Sequence, residues 1–445
     1  MACSMLILLH NMRSDQIQSV RGTYDILPQE IGYRRKIENV FTSVVETSGF
    51  KRIETPALES KDLFIRSVGE ETDIISKELF GAKRLNDPDE ETKYVLRPEG
   101  TAGIVRAYIE KGLFNVVQPA KLYYLGPFWR YERPQAGRFR QFYQAGIEII
   151  GDDSPEADAY AIMLVYQFLQ KIAIAENLVL EINTIGDVSD RPAITKALKQ
   201  YFEPYVDKLP EEAKNQYQKN ILRILDSKDP EVMKLLENAP QIMDLLSKES
   251  HCRFKETLEM LDELDIPYAL NPRLVRGFDY YTHLVFEIRD GADEKRQSSL
   301  AGGGRYNTLV KDLGGPDVGA VGFAIGIERV IEKMKQYKVA PEIIAEPKVY
   351  VIQIGEKAKK KCLNLIYRLN EFGISSAPIL GERDSLRSQL KYVDKMNAPI
   401  AIIIGQKEAM EGSAIIRNMR DGVQETVDFD ELVLKLQDSL GVTCN

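Results

Sequence analysis

The sequence predicts an α+β protein: a strand-rich body interrupted by a helical insertion, then a small α/β domain. Three observations predict it. Residues 21–186 and 266–340 mix strand-like alternation with amphipathic helical stretches. Residues 187–265 change to long, charged, Leu-rich segments with few glycines. After a linker at Pro341–Pro347, residues 347–445 alternate strand-like and helix-like runs, the pattern of an α/β unit with a largely parallel sheet.

The chain opens on Met1 and a short apolar run, Met5–Leu9. That run is too short to span a bilayer and lacks a basic flank and a cleavage site. Residues 1–20 are expected to be a disordered extension, either a frayed tail or residues preceding a true start at Met12. In the helical block, Asp190 before Pro192 and Asp229 before Pro230 are helix-start signals. Strand character returns at Leu274–Ile288 and Val318–Ile325. In the last domain the expected order is strand Val349–Ile354, helix Lys357–Glu371, strand Ser376–Leu380 and helix Ser385–Met396. Strand Ile400–Ile404, then one further strand and helix, complete it.

A length of 445 residues fits about two to four domains. With 44% hydrophobic and 28% charged residues, a sizeable core forms without disulfide or metal staples. Cys3, Cys252, Cys362 and Cys444 lie far apart, a usage that fits a reducing cytosol. His10, His251 and His283 have no paired spacing, so no zinc site is expected from them. A net charge of −8 excludes a generic polyanion binder, and any nucleic acid contact must come from local basic patches.

Lys121–Gly151 reads as two strands joined by the polar loop Arg133–Arg138. Gln144, Gly146 and Glu148 share one strand face while Ala145, Ile147 and Ile149 share the core face. The polar face is either solvated or lines a pocket. In Gly319–Arg329, Val321, Phe323, Ile325 and Ile327 form a bulky face, and Ala320, Gly322, Ala324 and Gly326 a flat one. Such flatness marks close approach of a ligand or of another element. Arg329 falls in the first turn of the next helix, where a phosphate meets guanidinium and backbone N–H together. Arg276 and Tyr281 have opposite parity, so they share a site only if the chain bends at Gly277. Gly302-Gly303-Gly304-Arg305-Tyr306 is weak as a nucleotide signature. Leu96–Thr101 reads alone as an ordinary turn into a helix, with Thr101 as N-cap.

In order along the chain, these segments resemble the signature motifs of class II aminoacyl-tRNA synthetases, and specifically of the histidyl-tRNA synthetase family. Gly49–Glu59 is similar to motif 1, Phe128–Phe142 to motif 2, and Gly322–Arg329 to motif 3. Arg276–Glu287 and Gly302–Tyr306 are similar to the two histidine-specific signatures, joined by Leu96–Ala102. Tyr131 and Asn307 depart from the histidine and aspartate that many members carry there.

The resemblance implies an antiparallel catalytic sheet flanked by helices, an insertion, and an anticodon-binding domain at 347–445. It implies that ATP, carrying Mg2+, lies with adenine over Gly322 and Ala324. Arg130 would grip the α-phosphate and Arg329 the γ-phosphate, with Glu132 and Arg138 in the same ATP site. Arg276 would stabilise charge developing at the reacting carboxylate and phosphate. Glu99, Thr101 and Gln144 would hold the ammonium group of L-histidine, with Gly100 in the same histidine site. Glu148 and Tyr281 would bracket the imidazole, with Tyr280 in the same histidine site, and reading both ring nitrogens gives selectivity of about 10⁴ or more without editing. Gly146 would leave room for substrate. Arg133, Gln135 and Arg138 would meet the acceptor end of tRNA(His), and Arg387, Lys391 and Lys395 its anticodon. A cytoplasmic homodimer is implied, with no membrane attachment. The rival reading is a synthetase-like regulatory subunit of ATP phosphoribosyltransferase, which typically lacks the last domain.

Overall fold

The computed structural model describes residues 17–69, 72–84, 86, 92–133, 137–292, 299–343, 346–381 and 385–441. Most of the expected 1–20 extension lies outside the described residues. Two compact units emerge, Met1–Glu342 and Ile343–Asn445. Among the described residues no helix is long and apolar enough to cross a membrane.

The first unit contains β1 (Lys51–Arg52), β2 (Leu58–Ser60), β3 (Gly81–Ala82), β4 (Tyr94–Leu96), β5 (Ala120–Trp129) and β6 (Gln141–Ile150). It continues with β7 (Leu178–Thr184), β8 (Tyr268–Leu270), β9 (Thr282–Asp290), β10 (Ser299–Arg305) and β11 (Ala320–Gly326). Eight of them form one sheet in the order β1-β5-β6-β11-β10-β9-β7-β8. The inner six pair antiparallel, but β1 and β8 join the edges in parallel, so the sheet is mixed rather than purely antiparallel.

Strand alternation decides what each face does. Tyr123, Ala145, Ile147, Ile149, Val321, Phe323 and Ile325 join Phe41, Phe168 and Met334, from helices Pro28–Thr47, Pro155–Lys171 and Ile327–Gln336, in the main core. The opposite face is covered at one side by helix Thr101–Glu110 and by the helical block. Its centre, where side chains are smallest, holds a cavity.

One expectation changes here. Leu274–Ile288 is not one strand: only Thr282–Asp290 is, and Leu274–Tyr281 runs outside the sheet as a connecting segment. The glycine run, which carries no alternation to read, is the inner strand β10. Glycine-rich strands hold their place poorly by side-chain packing, and β10 ends in a fully buried arginine. Arg305 donates from Nε to Asp158 (2.7 Å), from Nη1 to the Asp152 carbonyl (2.8 Å), and from Nη2 to the Ser154 carbonyl (2.9 Å).

Residues 187–265 are helical, with Arg191–Phe202, Glu211–Lys219, Pro230–Leu236 and Lys248–Glu263 as α-helices. Asp229 caps its helix by accepting from Glu231 and Val232 N–H. Asp190 does not cap in that way. Its carboxylate instead accepts from Asp187 and Ser247 N–H and the Ser250 hydroxyl, tying two helices together.

The second unit has β12 (Val349–Gln353), β13 (Ser376–Pro378), β14 (Ile400–Ile404), β15 (Ser413–Asn418) and β16 (Gln424–Asp428), ordered β13-β12-β14-β15-β16. Only the first three are parallel, so the sheet is mixed. Helix Gln406–Glu411 and a second closing strand were not expected from the sequence.

A candidate active site on the flat centre of the sheet

Strand pairing aligns one row across the sheet as Tyr124, Gly146, Ala324, Gly302 and Glu287, and the next as Leu122, Glu148, Gly322, Gly304 and Val285. The small residues at mid-row leave a cavity of about 280 Å³. It is lined by Arg130, Glu132, Arg138, Arg276 and Arg329 together with Glu99, Gly100, Thr101 and Gln144. Tyr280, Tyr281, Gly322 and Ala324 also line it. Residues up to 230 positions apart in the sequence, Glu99 and Arg329, thus meet in one cavity.

The glycines make space mainly for the protein's own polar groups. A Cβ at Gly302 would lie 2.6 Å from the Arg276 guanidinium. At Gly146 it would lie 2.5 Å from the Tyr124 hydroxyl and 2.4 Å from the Phe323 carbonyl, so the expected room for substrate is taken by Tyr124. At Gly322 it would overlap the Glu148 carboxyl, so Gly322 can line the cavity beside Ala324 only without a side chain.

The arginines enter from segments at the edge of this floor. Arg130, just past β5, donates from Nε to the Pro98 carbonyl (2.9 Å) and lies over the Phe142 ring. Arg329, in the first turn of Ile327–Gln336, donates to the Ser299 carbonyl (2.6 Å). Burial, and then the neighbouring Arg138, push its pKa down. Arg276 stands 3.5 Å from Glu287. Burial opposes its charge, but Tyr281 and Glu287 outweigh that and its pKa is raised. Arg138 pairs with Glu132 at 3.4 Å.

The other end is sealed. Glu99 is buried, and its carboxyl accepts from Thr101 N–H (2.7 Å) and Ala102 N–H (2.8 Å), so Glu99 caps helix Thr101–Glu110. Burial raises its pKa. Thr101 is not the N-cap; Gly100 is, and the Thr101 hydroxyl donates to Glu148 at 2.8 Å. Glu148 is 1% exposed and lies behind the wall, meeting the cavity through Thr101 and through the Tyr306 hydroxyl, which donates to its other oxygen. Burial pushes its carboxyl up to about 8 despite those two hydrogen bonds. Burial likewise holds the Tyr280 and Tyr306 phenols well above their usual value. The Gln144 amide oxygen is buried without a partner among the described residues, the kind of group that a bound ligand satisfies.

Sequence reasoning missed four residues. Tyr306 was inside a quoted signature but was given no task, and Glu287 lay within another. Glu328, next to Arg329, accepts from Tyr143 N–H (3.0 Å) and Arg34 (2.9 Å), fixing the helix against β6. Tyr124 shares the face of Gly126 and Phe128, and nothing local distinguished it. Of the residues expected to meet tRNA, Arg133 is exposed four residues past the end of β5, while Gln135 lies outside the described residues. Arg387, Lys391 and Lys395 are all exposed on helix Leu386–Lys395.

A mixed sheet with a glycine-floored cavity, a motif-2 arginine at a hairpin and a motif-3 arginine at a helix start define a class II aminoacyl-tRNA synthetase. A family model described as histidyl-tRNA synthetase matches residues 22–330, and one described as anticodon binding domain matches residues 348–439. The chain is 40% identical to a histidine–tRNA ligase of Rippkaea orientalis, over 94% of this chain and 96% of that one. It is 39% identical to one of Desulforamulus reducens, over 93% and 97%. The solved structure of apo S. aureus histidyl-tRNA synthetase superposes with a TM-score of 0.77 at 32% identity, covering 94% of this chain and 99% of that one. The chain belongs to the histidyl-tRNA synthetase family.

Proposed function

We propose that the cavity carries out the reaction of this family residue by residue as follows. The enzyme ligates L-histidine to tRNA(His) with ATP, through histidyl-adenylate, releasing AMP and diphosphate. ATP, with magnesium carried on its phosphates, lies with adenine toward Ala324 and its phosphates among Arg130, Arg138 and Arg329, with Glu132 orienting Arg138. Histidine's carboxylate attacks the α-phosphorus in line, and Arg276 stabilises the charge that gathers on the reacting oxygens.

Glu99, Gly100 and Gln144 receive the ammonium group. Tyr281 and Tyr280 enclose the ring, and Glu148 acts on it through and beside Thr101 and Tyr306. A carboxyl whose pKa stands at about 8 is poised to exchange a proton with an imidazole near neutral pH. The observation that carries this reading is the convergence of Arg130, Arg276 and Arg329 on one cavity beside a buried carboxyl–tyrosine cluster.

The same reading takes 21–186 and 266–340 as the catalytic domain, 187–265 as its insertion and 347–445 as the anticodon-binding domain. Arg133, Gln135 and Arg138 face the acceptor end, and Arg387, Lys391 and Lys395 the anticodon. The protein works as a homodimer in the cytoplasm.

The test is ATP–pyrophosphate exchange with each of the twenty amino acids. Histidine alone is expected to support it. Exchange with a different amino acid overturns the pocket assignment, and no exchange at all favours the regulatory-subunit reading.

A further inference from the structure

The segment that carries Arg276, Tyr280 and Tyr281 is held from outside by the helical block. Arg191 donates to the backbone carbonyls of Tyr281 and Asp279 (3.4 Å to the latter). The Asp279 carboxylate, which points away from the cavity, accepts on Oδ1 from Asn220 Nδ2 and Arg223 Nη2, both at 2.8 Å. From the other side, Asp279 N–H donates to the Val68 carbonyl (3.2 Å), and a Cβ on Gly69 would lie 2.4 Å from the Asp279 carboxylate. Asp279 therefore sits where the block, the segment and the end of helix Lys61–Val68 meet.

Its two sequence neighbours face inward. The Phe278 and Tyr280 rings stack at 5.2 Å and 12°, and Arg130 lies 5.8 Å over Phe278. The segment belongs to no strand of the sheet. Core packing of Leu274, Tyr280 and Tyr281 and the Asn183 bond to the Leu274 carbonyl also hold it, and among its polar contacts the charge-assisted hydrogen bonds to Asp279 are the strongest kind.

We propose that Asn220 and Arg223, acting through Asp279, are positioning residues for histidine activation: the helical block sets where Tyr281 and Arg276 stand. The proposal rests on the site reading given above. Neither Asn220 nor Arg223 lines the cavity, so each acts only through the segment.

The experiment is histidine-dependent ATP–pyrophosphate exchange on the full chain, with Arg223→Ala, Asp279→Ala, the double variant, and Arg223→Lys. Each single alanine is expected to raise the histidine KM about tenfold and leave the ATP KM within about twofold, and the double variant no more than either single one. Arg223→Lys should recover part of the loss. Additive effects, unchanged histidine KM, or equal rises in both KM values with a lowered Tm would overturn it. Failure of the site reading is told apart because the unaltered chain would then show no histidine-dependent exchange at all.

Discussion

At one end of the cavity Arg130, Arg138 and Arg329 reach in from a hairpin and a helix start, bonded chiefly to backbone carbonyls or to one half-buried carboxylate, Glu132. At the other, Glu99, Thr101, Glu148, Tyr280, Tyr281 and Tyr306 are buried and satisfied largely by one another. The first end meets its ligand with surplus positive charge, which tolerates some freedom of approach. The second offers few uncommitted donors and acceptors in fixed positions, so a wrong guest leaves groups unpaired where water cannot reach them. On the proposed reading, affinity for a nucleotide and choice of an amino acid are separate problems that fall to separate ends of the cavity.

Substitutions at the two ends should therefore fail differently. The largest effect is expected from Glu148→Gln, which keeps shape but removes the ionisable group. Histidine-dependent exchange should fall on the order of 10³-fold with the far-ultraviolet circular dichroism unchanged. An effect below about tenfold would break the contrast. Arg276→Ala, between the ends, should lower kcat of exchange about 10²-fold with a smaller change in either KM. Arg329→Ala should raise the ATP KM about tenfold and leave the histidine KM unchanged.

The smallest effect concerns stability. Glu148 has its folded pKa raised from 4.5 to about 8, so its contribution is fully present below about 4.5 and is lost as pH rises through about 8. Across that window the Tm of the unaltered protein should fall relative to Glu148→Gln, by on the order of a few degrees. A constant difference between the two would mean that the carboxyl titrates alike in folded and unfolded chains.

What the sequence made legible follows the same division. The arginines stand at motif positions, and strand parity correctly put Gln144, Gly146 and Glu148 on one face. Alternation could not say whether that face met water; the answer depends on helix Thr101–Glu110 and on Tyr306, far away in the chain. Nor could it say what fills the glycine gaps. Gly146 accommodates Tyr124 and Gly322 accommodates Glu148, facts of register between β5, β6 and β11. The glycine run was invisible as a strand because a strand without side chains has no period. The edge strands β1 and β8, of two and three residues, were too short to announce themselves.

Arg305 has its own implication. Its guanidinium is anchored to a carboxylate and to carbonyls at the start of helix Pro155–Lys171, and Arg253 of the helical block shares that carboxylate, Asp158. Remove the arginine and a charge stays sealed in the interior with half its counterion gone, so the strand that supports Arg276 and carries Tyr306 would lose its peg. A lesion there would read in an assay as a damaged binding pocket, although the altered atom touches no substrate.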